Sequence, residues 1–464
     1  MTRWCALLLS ILAPLFTVAA ASPLLPLRVS ENHRFLVQGD QQQPFFYLAD
    51  TGWEIFHRLN REQADAYLQN RAGKGFNVIQ AMVLAEFGGL TKPNPYGHVP
   101  LQSNDPTQPV EEYFQHVDWV VNRAASLGLY VAMVATWGDK VNQKWGQGPE
   151  IFTPENARVY GEFLGRRYRQ AHVIWLLGGD RPIENKRHRL VYRALAEGLR
   201  AGDGGAHLMT YHPNGGRSSS NFVHEEPWLQ FHMLQSGHGG LNRPSWGMLA
   251  KDYALTPTRP VLDGEPNYED HPVRGKEAPG RWFDEWDVRK SSYWSVFAGG
   301  CGITYGAHPI WQFWDGVEKP CADPRHSWMD ALDLLGSRQV GYLKRLMLSR
   351  PYLTRVPDQA LLSSPAGEGA EHLQATRDEK GTYAMVYSPQ GQPFTVDLTK
   401  LSSPQLKAWW WDPRTGVARL AEAFTATPTR EFQPPRSGEG MDWVLVVDDA
   451  TKSYPVPGES PVEQ

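Results

Sequence analysis

The sequence predicts an α/β protein, a (β/α)8 TIM barrel followed by a small C-terminal all-β sandwich domain. Three observations predict this fold. Eight apolar runs follow one another between residues 45 and 308, helical patterns separate them, and after Pro351 the pattern changes to short strands and turns. The runs are continuously apolar rather than alternating, which is typical of parallel strands that are covered on both faces. Eight repeats of strand and helix are typical of the barrel.

The eight runs have the length of barrel strands, and several of them end in a polar or charged residue. They are Phe45–Asp50, Asn77–Leu84, Tyr130–Trp137, His172–Asp180, His207–Pro213, Phe231–Gly237, Pro260–Pro266 and Gly302–His308.

The segments between the runs carry helix start and stop signals. Residues 60–75 begin at Asn60, a good N-cap residue, and end at a glycine, while Thr153 and Pro154 open the next clear example. A doubly wound open sheet is the alternative fold. It often carries a glycine-rich phosphate turn after its first strand, whereas the first run here ends in ADTGW, so the barrel is favoured.

Composition shifts divide the chain into four parts. We expect a signal peptide over residues 1–21, the barrel over 22–350, the β-sandwich over 351–450 and a disordered, proline-rich tail over 451–464. The first part has one arginine, a short apolar stretch interrupted by Pro14, and Ala19, Ala20 and Ala21 before Ser22. This pattern predicts a cleaved secretory signal, hence a periplasmic or secreted protein without a membrane anchor.

Charge and cysteine content exclude several classes of function. The 46 Lys and Arg against 50 Asp and Glu form no basic stripe, so we expect no nucleic-acid partner. After signal cleavage only Cys301 and Cys321 remain, either as a disulfide or as two buried thiols. Neither the cysteines nor the histidines have metal-ligand spacing, so we expect no metal, and no cofactor is implied. Oligomeric state is left open.

Two carboxylates are the candidate catalytic residues, Asp180 in WLLGGD and Glu265 in LDGEP. Active sites of these barrels lie at the C-terminal ends of the strands, and these two acids end the fourth and seventh runs. Hydrolysis of a glycosidic bond needs one neutral and one ionised carboxyl group flanking the bond. We expect Asp180 to be the acid/base and Glu265 the nucleophile, although a carboxylate at a strand end is often a helix cap or an arginine partner, and Arg181 adjoins Asp180.

Further residues at the same ends of the runs are candidates for substrate contacts. Aromatic rings can stack on sugars, and Asp or His can bind hydroxyl groups, although each ring could equally pack in the core. The candidates are Asp50, Trp53, Trp137, Tyr211, His212, His308, Trp311 and Trp314.

Five stretches together resemble one family of enzymes. FYLADTGWEIFHRL, RAGKGFNVIQ, WLLGGDRP, LDGEPNYED and WQFWDG are similar to the apiosidase-like glycoside hydrolases, glycoside hydrolase family 140, and the resemblance covers residues 27–448. It implies a barrel followed by a sandwich, with Asp180 as acid/base and Glu265 as nucleophile. It also implies an oligo- or polysaccharide substrate, with release of apiose from the pectic polymer rhamnogalacturonan II as the family's characterised activity. The C-terminal module resembles one described as collagen-binding, but no HExxH or zinc-ligand spacing indicates a collagenase.

The hypothesis is therefore a retaining glycosidase that acts on plant cell-wall glycans. Three alternatives remain open at this stage. An inverting hydrolase could use the same barrel with water between more distant carboxylates. A non-catalytic surface protein could bind glycans or a protein through a Trp-rich face. A secreted peptidase is the third, and no nucleophile or zinc constellation supports it.

Overall fold

A computed structural model of the chain describes residues 24–274 and 278–460. The predicted signal peptide lies outside this range. The described chain begins with a three-stranded antiparallel sheet formed by β1 (Leu27–Val29), β2 (Leu36–Gln38) and β3 (Gln43–Phe45). Tyr130 is the first residue of a barrel strand. The Phe45 ring packs edge-on against the Tyr130 ring, with 5.4 Å between the ring centroids. The small sheet therefore covers the N-terminal end of the barrel.

Eight parallel strands form the barrel, and each coincides with one of the eight predicted apolar runs. A ninth, very short strand pairs antiparallel to the sixth of them. In chain order the strands are β4 (Tyr47–Thr51), β5 (Val78–Met82), β6 (Tyr130–Val134), β7 (Val173–Gly178), β8 (Met209–His212), β9 (Arg217–Ser218), β10 (His232–Gln235), β11 (Val261–Asp263) and β12 (Gly302–Tyr305).

The strands follow one another in the order expected of a closed barrel. The sheet runs β8-β7-β6-β5-β4-β12-β11-β10-β9, so its two ends are β8 and the β10-β9 pair. Hydrogen bonds between β8 and the residues just before β10 close the ring: Gln230 N–H donates to Met209 O at 3.0 Å, and Thr210 Oγ1 donates to Phe231 O at 2.6 Å. All eight parallel strands are buried along their length, which confirms the (β/α)8 prediction.

The helices surround the strands and begin where the capping signals indicate. Asn60 accepts from the Gln63 N–H and Thr153 from the Asn156 N–H, both in capping boxes. The helices are α1 (Ile55–Arg58), α2 (Arg61–Gly73), α3 (Glu111–Ser126), α4 (Pro154–Arg167), α5 (Lys186–Asp203), α6 (Ser220–Val223), α7 (Ser245–Tyr253), α8 (Glu285–Phe297), α9 (His308–Trp311) and α10 (Leu335–Leu348).

The C-terminal module is all-β, as predicted. Six of its strands form an antiparallel sheet in the order β13-β14-β15-β20-β17-β18, and β16 pairs with β19 in a second small sheet. The strands are β13 (Arg355–Pro357), β14 (Gln374–Asp378), β15 (Tyr383–Ser388), β16 (Phe394–Asp397), β17 (Gln405–Asp412), β18 (Val417–Thr425), β19 (Thr429–Phe432) and β20 (Trp443–Asp449).

Helix α8 of the barrel packs against the module and forms the centre of the interface between the two. All of its residues except Glu285 are buried, because the barrel lies on one side and the module on the other. Arg289 makes a buried ion pair with Asp442 of the module at 2.9 Å, and the Trp411 indole N–H donates to the Tyr293 hydroxyl at 3.0 Å. The interface is therefore made from buried polar bonds as well as aromatic packing.

Residues 451–460, which we predicted to belong to a disordered tail, lie against the folded chain. The Tyr454 hydroxyl is 2.7 Å from Thr382 Oγ1, the Tyr454 ring lies 5.0 Å from the Arg350 guanidinium, and Gly458 lies against the Trp411 ring. A composition rich in proline and polar residues did not reveal these contacts. Cys301 and Cys321 are free thiols, so the predicted alternative of a disulfide is wrong.

Candidate active site

A cavity of about 510 Å³ opens at the C-terminal ends of the barrel strands. Its walls come from the segments that follow β4 to β8 and β10 to β12, which is the expected end of the barrel for an active site. Asp180, two residues after β7, and Glu265, two residues after β11, both line it. The two sequence-predicted carboxylates are thus brought to one cavity.

Two glycines fix the position of Asp180. Gly178, Gly179 and Asp180 all have left-handed backbone conformations, with φ of 90°, 107° and 55°. A Cβ on Gly178 would lie 2.3 Å from His212 O, and one on Gly179 would lie 2.7 Å from the Gly138 N atom. Only glycine fits at both positions. Asp180 carries the strain of a left-handed non-glycine residue, which is common at functional sites.

The Asp180 carboxyl group has its protein contacts on one oxygen. Oδ2 accepts from the Trp145 indole N–H at 3.1 Å and from Arg181 NH1 at 2.9 Å, and no donor among the described residues contacts Oδ1. The side chain is 26% exposed. Burial, followed by the negative charge of Glu265, raises the pKa of Asp180, although Arg181 opposes the shift. The arginine contact that was the structural alternative is present, while the Asp180 carboxyl still lines the cavity.

The Glu265 carboxyl group lies between two histidine rings. His212 Nε2 is 3.0 Å from Oε2, and His238 Nε2 is 3.1 Å from Oε1. Burial alone would raise the pKa of this carboxyl, but His212 and then His238 outweigh it and lower the pKa to about 2. Asp263, two residues before Glu265, accepts from the Glu265 backbone N–H at 3.3 Å and so orients the segment.

The two carboxyl groups are therefore driven to opposite protonation states. Asp180 is biased towards the neutral acid and Glu265 towards the ionised base. Such a pair can donate a proton to one atom of a bond while attacking the other.

Four of the eight predicted substrate contacts line the cavity. Trp53, Trp137, His308 and Trp311 form parts of its wall. The Trp137 indole N–H is buried without a hydrogen-bond partner among the described residues, so it is available to a bound hydroxyl group.

The other four predicted contacts lie outside the cavity wall, and each has a partner within the protein. Asp50 is fully buried, where its Oδ2 accepts from Tyr67 at 2.6 Å and from Arg71 at 2.7 Å. Tyr211 donates to Arg181 O at 2.8 Å, behind the wall. His212 acts on Glu265, and the Trp314 indole N–H donates to Glu318 O at 2.7 Å. Strand-end position gave the edge of the sheet, but not the direction of these side chains.

Other cavity residues were not predicted as site residues. Glu86 and Trp145 lie on the segments after β5 and β6, His238 follows β10, and Tyr268 follows Glu265 by three residues. Tyr268 stands within the quoted LDGEPNYED. Trp145 lies eleven residues beyond the end of β6, and the position of a strand end does not predict which residues of so long a loop reach the cavity. Within the described residues, no group of three His, Cys, Asp or Glu side chains is arranged to hold a metal ion.

Comparison with known proteins agrees with this geometry. Residues 30–354 match the family model "Apiosidase-like, catalytic domain", and residues 356–448 match "Putative collagen-binding domain of a collagenase". No curated protein sequence matches the chain.

Two solved structures are similar over nearly the whole chain. One, described as a glycoside hydrolase, is 34% identical with a TM-score of 0.85, covering 93% of this chain and 98% of its own. The other, a glycoside hydrolase family 5 protein from Bacteroides vulgatus ATCC 8482, is 34% identical with a TM-score of 0.85, covering 94% and 96%. The chain therefore belongs to the apiosidase-like family, and it is a glycoside hydrolase.

Proposed function

We propose that the enzyme is a retaining glycosidase that is secreted or periplasmic and acts on the pectic glycans of plant cell walls. The observation that carries this proposal is the pair of carboxyl groups in one cavity, with the pKa of Asp180 raised and that of Glu265 lowered. The apiosidase-like family supports apiose-bearing pectin as the substrate class.

In the first step Glu265 attacks the anomeric carbon as the bond to the leaving oxygen breaks. Asp180 donates its proton to that oxygen, which leaves a glycosyl-enzyme ester and an ionised Asp180. In the second step Asp180 takes a proton from water, the water oxygen attacks the anomeric carbon, and Glu265 is released. His238 and His212 keep Glu265 ionised before the attack.

A screen of plant cell-wall oligosaccharides, including apiose-bearing pectin fragments, tests the substrate class. Release of a reducing sugar by the wild type, lost in Glu265→Gln, is expected. Time-resolved ¹H NMR of the first product then tests the stereochemistry. A product with the anomeric configuration of the substrate supports retention, and the opposite anomer would show an inverting hydrolase. Binding of a fragment without turnover, unaffected by loss of both carboxylates, would favour a non-catalytic binding protein.

The proposed location depends on the first 21 residues, which carry the secretory pattern. Expression of the full chain in a bacterial host, followed by mass spectrometry of the exported protein, is expected to give a mature N-terminus at Ser22. Retention of residues 1–21 in the cytoplasmic fraction would contradict this part of the proposal.

A further inference from the structure

Trp145 lines the cavity as an exposed ring. The residue is 59% exposed, and it is the one exposed tryptophan in the part of the chain that the structure describes. A single exposed apolar side chain is common on a protein surface, but this one forms part of a cavity wall. It also contacts the candidate acid/base, because its indole N–H donates to Asp180 Oδ2 at 3.1 Å.

The backbone next to Trp145 is anchored to the barrel. A Cβ on Gly146 would clash with the Asp139 Cβ and lie 2.6 Å from Arg181 NH2, so a side chain cannot be accommodated directly after the tryptophan. Two residues further on, the Gly148 N–H donates to Asp139 Oδ2 at 2.8 Å. The ring is therefore held by a stretch of loop that packs closely on the barrel.

One face of the ring is covered and the other is open. The Arg181 guanidinium lies over the ring, 4.8 Å from its centroid, and the arginine side chain is fully buried. A cation on one face of an aromatic ring fixes its orientation. Because the arginine side is buried, the exposed surface of the Trp145 ring is the side that faces away from the arginine.

The ring lies on the leaving-group side of the cavity. In the closed ring of eight parallel strands β6 stands opposite β11, and Trp145 follows β6 while Glu265 follows β11. In the proposed mechanism Glu265 attacks the anomeric carbon, and Asp180 protonates the oxygen that leaves. The terminal sugar of the substrate therefore lies towards β11, and the group that departs lies towards Asp180 and the Trp145 ring bonded to it.

We propose that Trp145 is a specificity-determining residue that stacks on the first sugar of the leaving group. The inference rests on the proposed role of Asp180 as the proton donor. Sugar rings present flat patches of C–H groups, which pack against the face of an aromatic ring. This contact, remote from the bond that breaks, holds the leaving oxygen at the Asp180 carboxyl group, so it favours a sugar over a small leaving group.

The test compares two substrates that share the terminal sugar and the anomeric configuration. One is the oligosaccharide that the screen identifies, and the other is the methyl glycoside of its terminal sugar. Both leaving groups are alkoxides that need a proton, but methanol has no ring that could stack. The value of kcat/KM is measured on both substrates for the wild type and for each variant.

Two variants separate the aromatic face of Trp145 from its N–H group. Trp145→Phe and Trp145→Ala both lose the hydrogen bond to Asp180, and only Trp145→Phe keeps a ring. On the oligosaccharide, kcat/KM of Trp145→Phe is expected to exceed that of Trp145→Ala by about tenfold. On the methyl glycoside the two variants are expected to agree within about twofold. Tyr96→Ala is the control, because Tyr96 is 41% exposed but lies outside the cavity wall, and it is expected to change neither value.

Two results would overturn the proposal. One is an equal kcat/KM of Trp145→Phe and Trp145→Ala on the oligosaccharide. The other is the same ratio between these variants on both substrates, which would show that the ring acts on the cavity or on Asp180 rather than on a sugar. If Trp145→Ala does not fold, Trp145→Leu, which has no flat ring, is compared with Trp145→Phe and read in the same way.

The role of Asp180 is tested by a separate variant. Asp180→Ala is expected to lose turnover on the oligosaccharide and on the methyl glycoside, because both leaving groups need a proton. Full turnover of both substrates by Asp180→Ala would refute the proposed acid/base. The comparison of the two Trp145 variants would still report whether the ring contacts the leaving sugar, so the two failures are distinguishable.

Discussion

His238 donates a hydrogen bond from its Nε2 to Glu265, and a second contact prevents this nitrogen from acting as an acceptor instead. Its Nδ1 accepts from the Tyr268 backbone N–H at 3.3 Å, so the ring proton lies on Nε2, 3.1 Å from Glu265 Oε1. The backbone therefore fixes the tautomer, and the tautomer fixes a donor on the carboxylate that we propose as nucleophile.

Replacing His238 by alanine removes this donor. The pKa of Glu265 then rises from its lowered value, and because the nucleophile must be ionised, the acid limb of the pH profile of kcat/KM moves to higher pH by about one unit. His207→Ala is the control, since His207 pairs with Asp203 at 2.9 Å at the other end of the barrel. An acid limb that stays in place in His238→Ala would contradict the assignment.

The two catalytic candidates are expected to affect stability in opposite directions. Asp180 has a raised pKa in the folded protein, so it destabilises the fold as pH rises above its usual value of 3.8. Asp180→Asn should therefore raise the Tm at pH 7 by about 1–2 °C. The gain should vanish near pH 3, where the carboxyl is protonated in both states. Differential scanning calorimetry at several pH values measures this.

Glu265 has the opposite sign. Its pKa is lowered to about 2 from 4.5, so its charge stabilises the fold above pH 4.5, and this contribution is lost as pH falls towards 2. Glu265→Gln should lower the Tm at neutral pH, with a difference that shrinks in acid. Shifts of the same sign for Asp180→Asn and Glu265→Gln at pH 7 would show that their pKa values are not driven apart.

Replacement of Gly179 tests whether the turn before Asp180 positions its carboxyl group for catalysis. A Cβ there would lie 2.8 Å from the Trp137 ring as well as against Gly138, so Gly179→Ala should displace Asp180 and lower kcat by about 100-fold. Gly205→Ala is the matched control, because Gly205 has a φ of 75° but open space around its Cβ position. It should cost stability through strain alone. Equal activity in the two variants would contradict the prediction.

Arg289 tests the interface between barrel and module. Its buried pair with Asp442 is expected to make Arg289→Met destabilising by about 3–5 kcal/mol in urea unfolding, because Asp442 is left buried without its partner. The control is Arg158→Met, which breaks an exposed pair with Glu197 and should cost about 0–1 kcal/mol. Similar losses for both variants would contradict the prediction that the buried Arg289–Asp442 pair stabilises this interface.

The fold could be predicted because burial on both faces leaves a direct trace in the sequence. Strands β7 and β12, for example, lie within the continuous apolar runs His172–Asp180 and Gly302–His308, and the chain order of such runs is the order around the barrel. The capping residues Asn60 and Thr153 marked helix starts for the same local reason.

The site could be predicted only in part. Asp180 and Glu265 could be predicted from the sequence because each lies two residues after its strand. The glycines before Asp180 also indicate a turn that a side chain would block. Asp50 also ends its strand, but Arg71, 21 residues later, binds it inside the barrel wall. Such a partner is set by packing that the sequence pattern does not show.

The loop residues of the site were harder still to predict from the sequence. Trp145 reaches Asp180 from a loop, and His238 reaches Glu265 from beyond its strand. Their positions depend on the path of irregular backbone, for which no periodic pattern exists.

Azide rescue of Glu265→Ala tests the central assignment most directly. On an activated aryl glycoside of the sugar that the screen identifies, this variant should lose at least about a thousandfold in kcat, since no nucleophile remains. Added azide should enter the vacated space and restore turnover, giving a glycosyl azide of inverted anomeric configuration. Wild-type turnover in Glu265→Ala without azide, or a glycosyl azide of retained configuration, would contradict the account.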